Sequence, residues 1–276
     1  MKICEFPKLT VAAPDGAQAE VYLHGAQITA WRPAGDLERL FLSKKAIFQK
    51  GVAIRGGVPI CFPQFGAEGP SIKHGFARLS TWELVRIEQT DTTAQAMLQI
   101  TDSAATQALW PYTFRATLTV TVGGARLLME LAVQNTGKEP FTFTAALHTY
   151  LQVKNITRTT VENLGGKQFR DAVTGAQGVV QVEPAIHFNG EINRLYGQVM
   201  PIKVILREPE RALAVSANGF PDIVLWNPWA EGCAKLKDME PDDYSHMVCV
   251  EAAVVSTPPV VLPGATWRGT QELVAE

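Results

Sequence analysis

The amino-acid sequence predicts an all-β fold, a large antiparallel β-sandwich with a few short helices. Three observations support this fold class: polar and apolar residues alternate with a period of two, turn residues recur at short intervals, and helical patterns are scarce. Successive side chains of a strand point to opposite faces of a sheet, so this alternation is typical of strands with one buried face. The lack of long helices between strands disfavours doubly wound and (β/α)8 architectures.

The composition is typical of a soluble globular protein with a sizeable core. Of the 276 residues, 46% are hydrophobic and 19% are charged. No stretch has the composition of a linker, so we expect a single domain over residues 1–276. Twenty-five basic residues against 27 acidic ones give a net charge of -2, and no basic tract stands out. We therefore expect no nucleic-acid partner.

The N-terminus and the cysteines indicate the compartment. The chain begins MKICEFPKLT, with a charge and a proline but no apolar run, and no long apolar stretch follows. We expect neither a signal peptide nor a membrane span. Cys4, Cys61, Cys233 and Cys249 never form C-x-x-C. They are expected to be reduced and mostly buried, in a cytoplasmic protein that we expect to be a monomer.

Individual elements follow from local patterns. Moderate strand patterns lie at residues 19–31, 93–100, 211–217, 222–227 and 246–255. DSAATQALW, residues 102–110, predicts one or two helical turns that end before Pro111. The strongest signal is YTFRATLTVTV, followed by Gly123-Gly124 and then RLLMELAVQNTG. Alternating segments around a glycine turn predict a β-hairpin.

Residues 140–153, PFTFTAALHTYLQV, are predicted to add the next strand of the same meander. One parity of this segment is apolar, and the other carries Thr144, His148 and Tyr150. An isolated histidine on a polar face is most often a surface or structural residue. It can also be a proton donor or acceptor, because the unperturbed imidazole pKa of about 6.5 lies near neutrality.

The segment from Lys50 to Val85 combines turn residues with apolar ones, which predicts a loop packed against the body of the protein. Four cationic or titratable residues punctuate this segment, namely Arg55, Lys73, His74 and Arg78. Such groups on a rigid loop suit an anionic ligand, since the arginine fork matches phosphate oxygens. The alternative is that they are solvated or pair with nearby acids such as Glu68.

The sequence lacks the motifs of several other kinds of binding site. No lysine followed by serine or threonine comes after the glycines of the loop, and G-x-G-x-x-G is absent, so neither a P-loop nor a dinucleotide site is expected. The five histidines are dispersed, without zinc spacing or an H-E-x-x-H motif. We expect no metal site and no cofactor.

Glu251 lies in HMVCVEAAVV, a strand pattern that is apolar on both faces except at this carboxylate. Burial of a carboxyl group raises its pKa above about 4.3, the direction needed for proton transfer near neutral pH. A structural carboxylate paired with an arginine is the alternative. One histidine and one unusually placed carboxylate on separate strands together indicate an acid–base pair.

Five motifs, in this order, resemble those of the D-hexose-6-phosphate mutarotase (glucose-6-phosphate 1-epimerase) family of the aldose 1-epimerase superfamily. They are AIRGGVPICFPQFG, KHGFARLSTWELV, LHTYLQV, PDIVLWNPW and MEPDDYSHMVCVEAA. The resemblance covers roughly residues 10–272. It implies a galactose mutarotase-like β-sandwich with a sugar on its concave face. It also implies interconversion of the α and β anomers of a hexose 6-phosphate without a cofactor.

The resemblance also implies roles for individual residues. His148 and Glu251 match the catalytic histidine and carboxylate. The implied substrate contacts are Arg55, Lys73, His74, Arg78, Asn193 and Asp222. Lys73 stands where the family often has glutamine, and Asn193 stands where it often has an acidic residue. Both departures bear on hexose preference more than on the reaction.

We expect Glu251 to take the proton of the C1 hydroxyl, while His148, as imidazolium, protonates the ring oxygen. Arg55 and Arg78, with Lys73, would hold the 6-phosphate. Two alternatives stay open. One is an aldose 1-epimerase acting on unphosphorylated sugars, and the other is a non-catalytic carbohydrate-binding β-sandwich. The latter would use aromatic residues such as Trp226 and Trp229 as stacking platforms.

Overall fold

The structure, a computed structural model, describes residues 6–199, 201 and 203–276. Among these residues the strands are β1 Lys8–Ala12, β2 Gln18–Tyr22, β3 Gln27–Arg32, β4 Ile60–Cys61, β5 Glu83–Gln89, β6 Ala94–Thr101, β7 Phe114–Gly123, β8 Arg126–Asn135, β9 Phe141–Thr142, β10 Ala145–Leu147, β11 Tyr150–Gln152, β12 Thr160–Glu162, β13 Gln168–Asp171, β14 Val179–Val180, β15 Ala185–His187, β16 Ile192–Tyr196, β17 Lys203–Glu208, β18 Arg211–Asn218, β19 Asp222–Asn227, β20 Met247–Val254, β21 Val260–Val261 and β22 Thr266–Ala275. The α-helices are α1 Ala104–Gln107 and α2 Trp229–Ala234. The predicted all-β fold class is confirmed.

Two large antiparallel sheets make up most of the protein. One has nine strands in the order β15-β12-β17-β18-β22-β8-β7-β6-β5. The other has eight strands, with the order β14-β13-β16-β19-β20-β10-β4, and β11 also pairs with β20. Strands β1, β2 and β3 form a small third sheet, and β9 pairs with β21.

The main hydrophobic core contains side chains from both large sheets. Leu118, Met129 and Leu131 of the nine-stranded sheet belong to the same buried cluster as Ile223 and Val250 of the eight-stranded sheet. A sandwich of this kind buries one face of each sheet against the other. The eight-stranded sheet therefore has a second, outer face, and this is the face that forms the cleft described below.

The predicted hairpin is present. Strands β7 and β8 pair antiparallel from Phe114 with Asn135 to Gly123 with Arg126. Helix α1 is also where the sequence placed it, with the Ser103 side chain accepting from the Thr106 N–H at its N-terminus. The moderate strand patterns correspond to β2, β3, β6, β18, β19 and β20.

One prediction of topology is wrong. Residues 140–153 do not extend the β7–β8 meander, because β22 takes the place beside β8. The segment instead divides into β9, which pairs with β21, and into β10 and β11, which pair with β20 of the eight-stranded sheet. Local alternation specifies a strand but not its partner, which depends on residues more than a hundred positions away.

The glycine- and proline-rich loop packs against the body of the protein, as predicted. Ile54, Val58, Ile60 and Phe62 are all buried. The Pro59 carbonyl accepts from the His148 N–H (2.9 Å), and the Gly57 carbonyl accepts from the Tyr150 N–H (2.9 Å). The loop therefore fixes the segment that carries the histidine.

Three of the four cysteines, Cys61, Cys233 and Cys249, are free and buried, as predicted. Cys4 lies outside the described residues. Within the described part of the chain, we find no helix with the length and apolar character needed to cross a membrane.

We expect Gly57→Ala to destabilise the protein far more than Gly51→Ala. Both glycines have positive φ, +61° and +78°. A Cβ on Gly57 would lie 1.9 Å from the Ile28 carbonyl oxygen, whereas a Cβ on Gly51 meets no atom within 4 Å. Left-handed backbone alone costs an alanine roughly 1–2 kcal/mol. The free energy of unfolding in urea should fall by about that amount for Gly51→Ala and by more than about 3 kcal/mol for Gly57→Ala. Equal losses would contradict this account.

Candidate active site

The register of the eight-stranded sheet brings the site together. Cys249, Glu251 and Ala253 alternate along β20 with residues that face the core. In antiparallel pairing, directly opposed residues point to the same face. Tyr150 and Trp226 lie opposite Cys249, and Val224 lies opposite Glu251. The side chains of several strands thus share one face of the sheet.

This face forms the floor of a cleft of about 400 Å³. The cleft is lined by Arg55, Phe65, Gly66, Glu68, Lys73, His74, Arg78, His148, Arg170, Ala172, Asn193, Leu195, Val224, Trp226, Leu236 and Glu251. Seven of the eight residues proposed from the sequence are among them. A volume of this size is within the range of small-molecule sites.

His148 and Glu251 lie side by side in the floor of the cleft. His148 Nε2 is 3.4 Å from Glu251 Oε1, and the two residues are 9% and 1% exposed. The imidazole stacks on the Tyr150 ring, with 4.8 Å between centroids and 14° between planes. The edge of Trp226 packs against both rings. The histidine on the polar parity of residues 140–153 therefore faces a cleft and is not a surface residue.

Burial shifts the pKa values of Glu251 and His148 in opposite directions. It raises the pKa of Glu251 well above its usual value, and the charge of Arg78 opposes this shift. Burial also lowers the pKa of His148 well below 6.5, aided by His74, Arg78 and Arg55. Both shifts favour the uncharged forms, a protonated carboxyl group beside a neutral imidazole. Burial disfavours the charged form of each group.

His74 faces His148 across the cleft, with 5.7 Å between ring centroids. Its Nδ1 accepts from the Gly66 N–H (3.2 Å) and lies 3.3 Å from Cys61 Sγ. Burial, with Arg78, Lys73 and Arg55, lowers its pKa to about 3. A neutral ring that accepts at Nδ1 carries its proton on Nε2. His74 is therefore a neutral hydrogen-bond donor.

Arg55 is anchored by two side chains. Its Nε donates to Asp238 Oδ2 (3.1 Å), and its Nη1 donates to the Tyr150 hydroxyl (2.9 Å). Burial lowers the pKa of Arg55, but Tyr150 and Asp238 outweigh it and raise that pKa overall. Of the alternative in which acids pair with the loop cations, the Asp238 contact of Arg55 is an instance, whereas Glu68 pairs with Arg170 (3.0 Å). Arg55 keeps a fixed position with donors to spare.

Arg78 and Lys73 complete the basic side of the cleft. Arg78 Nη2 donates to the Lys73 carbonyl (3.0 Å), and its buried Nε has no hydrogen-bond partner among the described residues. Lys73 is exposed at the rim. Arg170, on β13, is a further cation of the cleft that sequence reasoning missed. Its only sequence signal is a charge in a short strand, and its place depends on the pairing of β13 with β16.

Asn193 lines the cleft, whereas Asp222 does not. Asp222 is fully buried, and its carboxylate accepts from the backbone N–H groups of Gln198, Val255 and Ser256 at 2.7–2.9 Å. The expectation that Asp222 contacts the substrate is corrected to a structural role, because those bonds occupy both oxygens. Of the two tryptophans, Trp226 lines the cleft and Trp229 packs on Tyr244.

Known proteins resemble this chain in sequence and in fold. The family model described as Aldose 1-epimerase matches residues 7–274. A Cenchrus ciliaris protein provisionally named glucose-6-phosphate 1-epimerase is 35% identical over 266 residues, 93% of this chain and 81% of its own. An Escherichia coli K12 protein with the same provisional name is 34% identical over 258 residues, covering 92% and 85%. The crystal structure of a provisionally assigned mutarotase from Salmonella typhimurium superposes with a TM-score of 0.90 at 29% identity, covering 99% of this chain and 92% of that one.

We expect His148 to stay neutral from pH 6.5 to pH 8, because its pKa is lowered well below 6.5. Its imidazole ¹⁵N shifts should remain those of a neutral ring over this range. The signal is assigned by its loss in His148→Gln, and His187→Gln, a change at an exposed histidine on β15, serves as the assignment control. A His148 signal that titrates with a midpoint near 6.5 would contradict the desolvation argument.

Proposed function

The chain belongs to the aldose 1-epimerase family, and we propose that it interconverts the α and β anomers of hexose 6-phosphates, most favourably glucose 6-phosphate. The observation that carries this proposal is the contact between His148 and Glu251 in a cleft that also holds Arg55, Arg78 and Lys73. One acid–base pair and one group of cations match the two ends of a sugar phosphate.

Ring opening needs one proton donor and one proton acceptor. The C1 hydroxyl loses its proton, the C1–O5 bond breaks, and O5 gains a proton, which leaves the open-chain aldehyde. After rotation about the C1–C2 bond, both proton transfers reverse and the ring closes again. A pair with a single proton provides both roles, and the opposite pKa shifts of Glu251 and His148 favour a proton on the carboxyl group and a neutral imidazole.

Substrate binding directs that proton to the imidazole in our mechanism. The phosphate dianion offsets the charges of Arg55 and Arg78, which lower the pKa of His148 in the free protein. The C1 hydroxyl donates to Glu251, and a hydrogen bond to a carboxylate stabilises its charged form. The proton crosses the 3.4 Å between the two side chains. Glu251 then acts as the base at O1 and His148 as the acid at O5.

His74 assists without changing its own protonation state. Its pKa of about 3 keeps it neutral, and its Nε2–H is free to donate to a sugar oxygen. Each well-placed proton transfer contributes roughly 10²–10⁴ in rate, so two transfers supply on the order of 5–11 kcal/mol if they are additive. This range suits a reaction whose ring opening already proceeds in water.

We expect His148→Gln and Glu251→Gln each to lower the rate of anomer exchange by roughly 10²–10⁴, because each removes one proton-transfer group. Saturation transfer between the anomer NMR signals of glucose 6-phosphate measures this rate. His187→Gln is the matched control and should retain wild-type exchange. A wild type no faster than buffer would favour a non-catalytic carbohydrate-binding protein, in which Trp226 stacks on the sugar.

We expect Arg55→Ala to lower kcat/KM for glucose 6-phosphate by at least about 100-fold, since two charge-assisted bonds from its guanidinium to the phosphate would contribute roughly 1.5–3 kcal/mol each. Activity on free glucose should fall much less. Tyr150→Phe is the control for positioning, because it removes the bond between Tyr150 and Arg55 and keeps the guanidinium. Equal losses on both sugars in Arg55→Ala would indicate an aldose 1-epimerase of unphosphorylated sugars, with Arg55 acting through Tyr150 on His148.

A further inference from the structure

A third side chain, Cys249, completes a compact group with His148 and Glu251. One ligating atom from each residue lies within 4.8 Å of the others, and all three residues are buried. Cys249 and Glu251 are two positions apart on β20 and share its cleft face, while His148 precedes β11 on the neighbouring strand segment. Nothing in the proposed epimerase mechanism uses the thiol.

Two members of this group have unused polar atoms. Glu251 Oε2 and His148 Nδ1 are buried without a hydrogen-bond partner among the described residues. Most buried polar atoms are hydrogen-bonded, and an unpaired one costs free energy. Glu251, at 1% exposure, therefore presents unsatisfied coordinating capacity beside the thiol.

A thiolate, an imidazole and a carboxylate together form a donor set that zinc prefers. Zinc bonds of about 2.0–2.3 Å in a tetrahedron place neighbouring ligand atoms roughly 3.3–3.8 Å apart. His148 Nε2 and Glu251 Oε1, which are 3.4 Å apart, already have this spacing. A shift of about 1 Å brings the most distant atoms of the group to the same spacing.

We propose that Cys249, His148 and Glu251 bind one zinc ion as three protein ligands and that this ion inhibits the enzyme. The Cys249 thiol and the Glu251 carboxyl group each lose a proton to solvent as the Zn–S and Zn–O bonds form. Arg55 and Arg78 repel a free dication, but the thiolate and the carboxylate neutralise it in the complex. Since His148 and Glu251 both line the open cleft, the ion has a route of entry and its fourth position faces the sugar site.

The inhibition rests on the proposed function, because the ion occupies the groups that transfer protons in that mechanism. Zinc binding itself does not depend on it. The sequence contains no zinc motif because two ligands alternate along one strand and the third comes from a segment about a hundred positions away. The pairing of β10 and β11 with β20 brings them together.

Binding is tested without substrate on the full chain. Titration of the wild type with Co²⁺ should give a thiolate-to-metal charge-transfer band at one ion per chain, and Zn²⁺ should displace it. Cys249→Ser should abolish the band and weaken Zn²⁺ binding, measured by calorimetry, about 100-fold or more, because even an outer-shell change costs 10–100-fold. Cys233→Ser is the matched control, since that buried thiol donates to the Glu240 carbonyl and lies outside the group.

Glu251→Gln is the second variant and should also weaken Zn²⁺ binding. Absence of the band in the wild type, or its persistence in Cys249→Ser, overturns the site, as does a band that Cys61→Ser removes and Cys249→Ser retains. With glucose 6-phosphate as the substrate, Zn²⁺ should inhibit competitively. The inhibition constant should be about 100-fold higher for Cys249→Ser than for the wild type, when the activity of each protein is normalised to its own metal-free rate. Stoichiometric binding without any metal-free activity would leave the site standing and refute the proposed function instead.

Discussion

The antiparallel pairing of β20 with β19 on one side and with β10 and β11 on the other is the constraint on which the site depends. Because pairing fixes which residues share a face, it places Glu251, Cys249 and Trp226 on the cleft side and sends Val250 and Ala252 into the core. A shift of one residue would exchange these two sets. The loop of Pro59 and Gly57 then holds His148 and Tyr150 by backbone bonds.

Burial and the charges of the arginines together determine the protonation of the groups in the cleft. Desolvation is the largest influence on Glu251, His148 and His74 alike, and it favours the neutral form of each. Arg78 acts on all three, stabilising the carboxylate while disfavouring protonated imidazoles. The arrangement therefore keeps two histidines uncharged beside fixed cations, which leaves the positive potential of the cleft to the arginines and the lysine.

Sequence reasoning predicted what is local and missed what depends on topology. Alternation identified β7, β8, β19 and β20, because side-chain periodicity is a property of a single strand. It placed residues 140–153 in the wrong sheet, since the partner of a strand is not encoded in its own pattern. The motifs predicted that His148, Glu251 and Arg55 share one cleft, which they line or border in the structure. The place of Arg170 and the structural role of Asp222 could not be predicted in this way, because both depend on the pairing of distant segments.

The unpaired polar atoms of the site explain why a hydroxyl-rich ligand suits it. Glu251 Oε2, His148 Nδ1 and Arg78 Nε are all buried without partners among the described residues. All three residues line the same cleft, so a ligand that enters it can pair groups that are otherwise unpaired. A sugar supplies both donors and acceptors from each hydroxyl group, and each bond it forms removes part of a penalty of about 1–3 kcal/mol per unpaired group. An apolar ligand of equal volume would leave those groups unpaired, so the cleft discriminates by the polar atoms that the folded chain itself leaves unsatisfied.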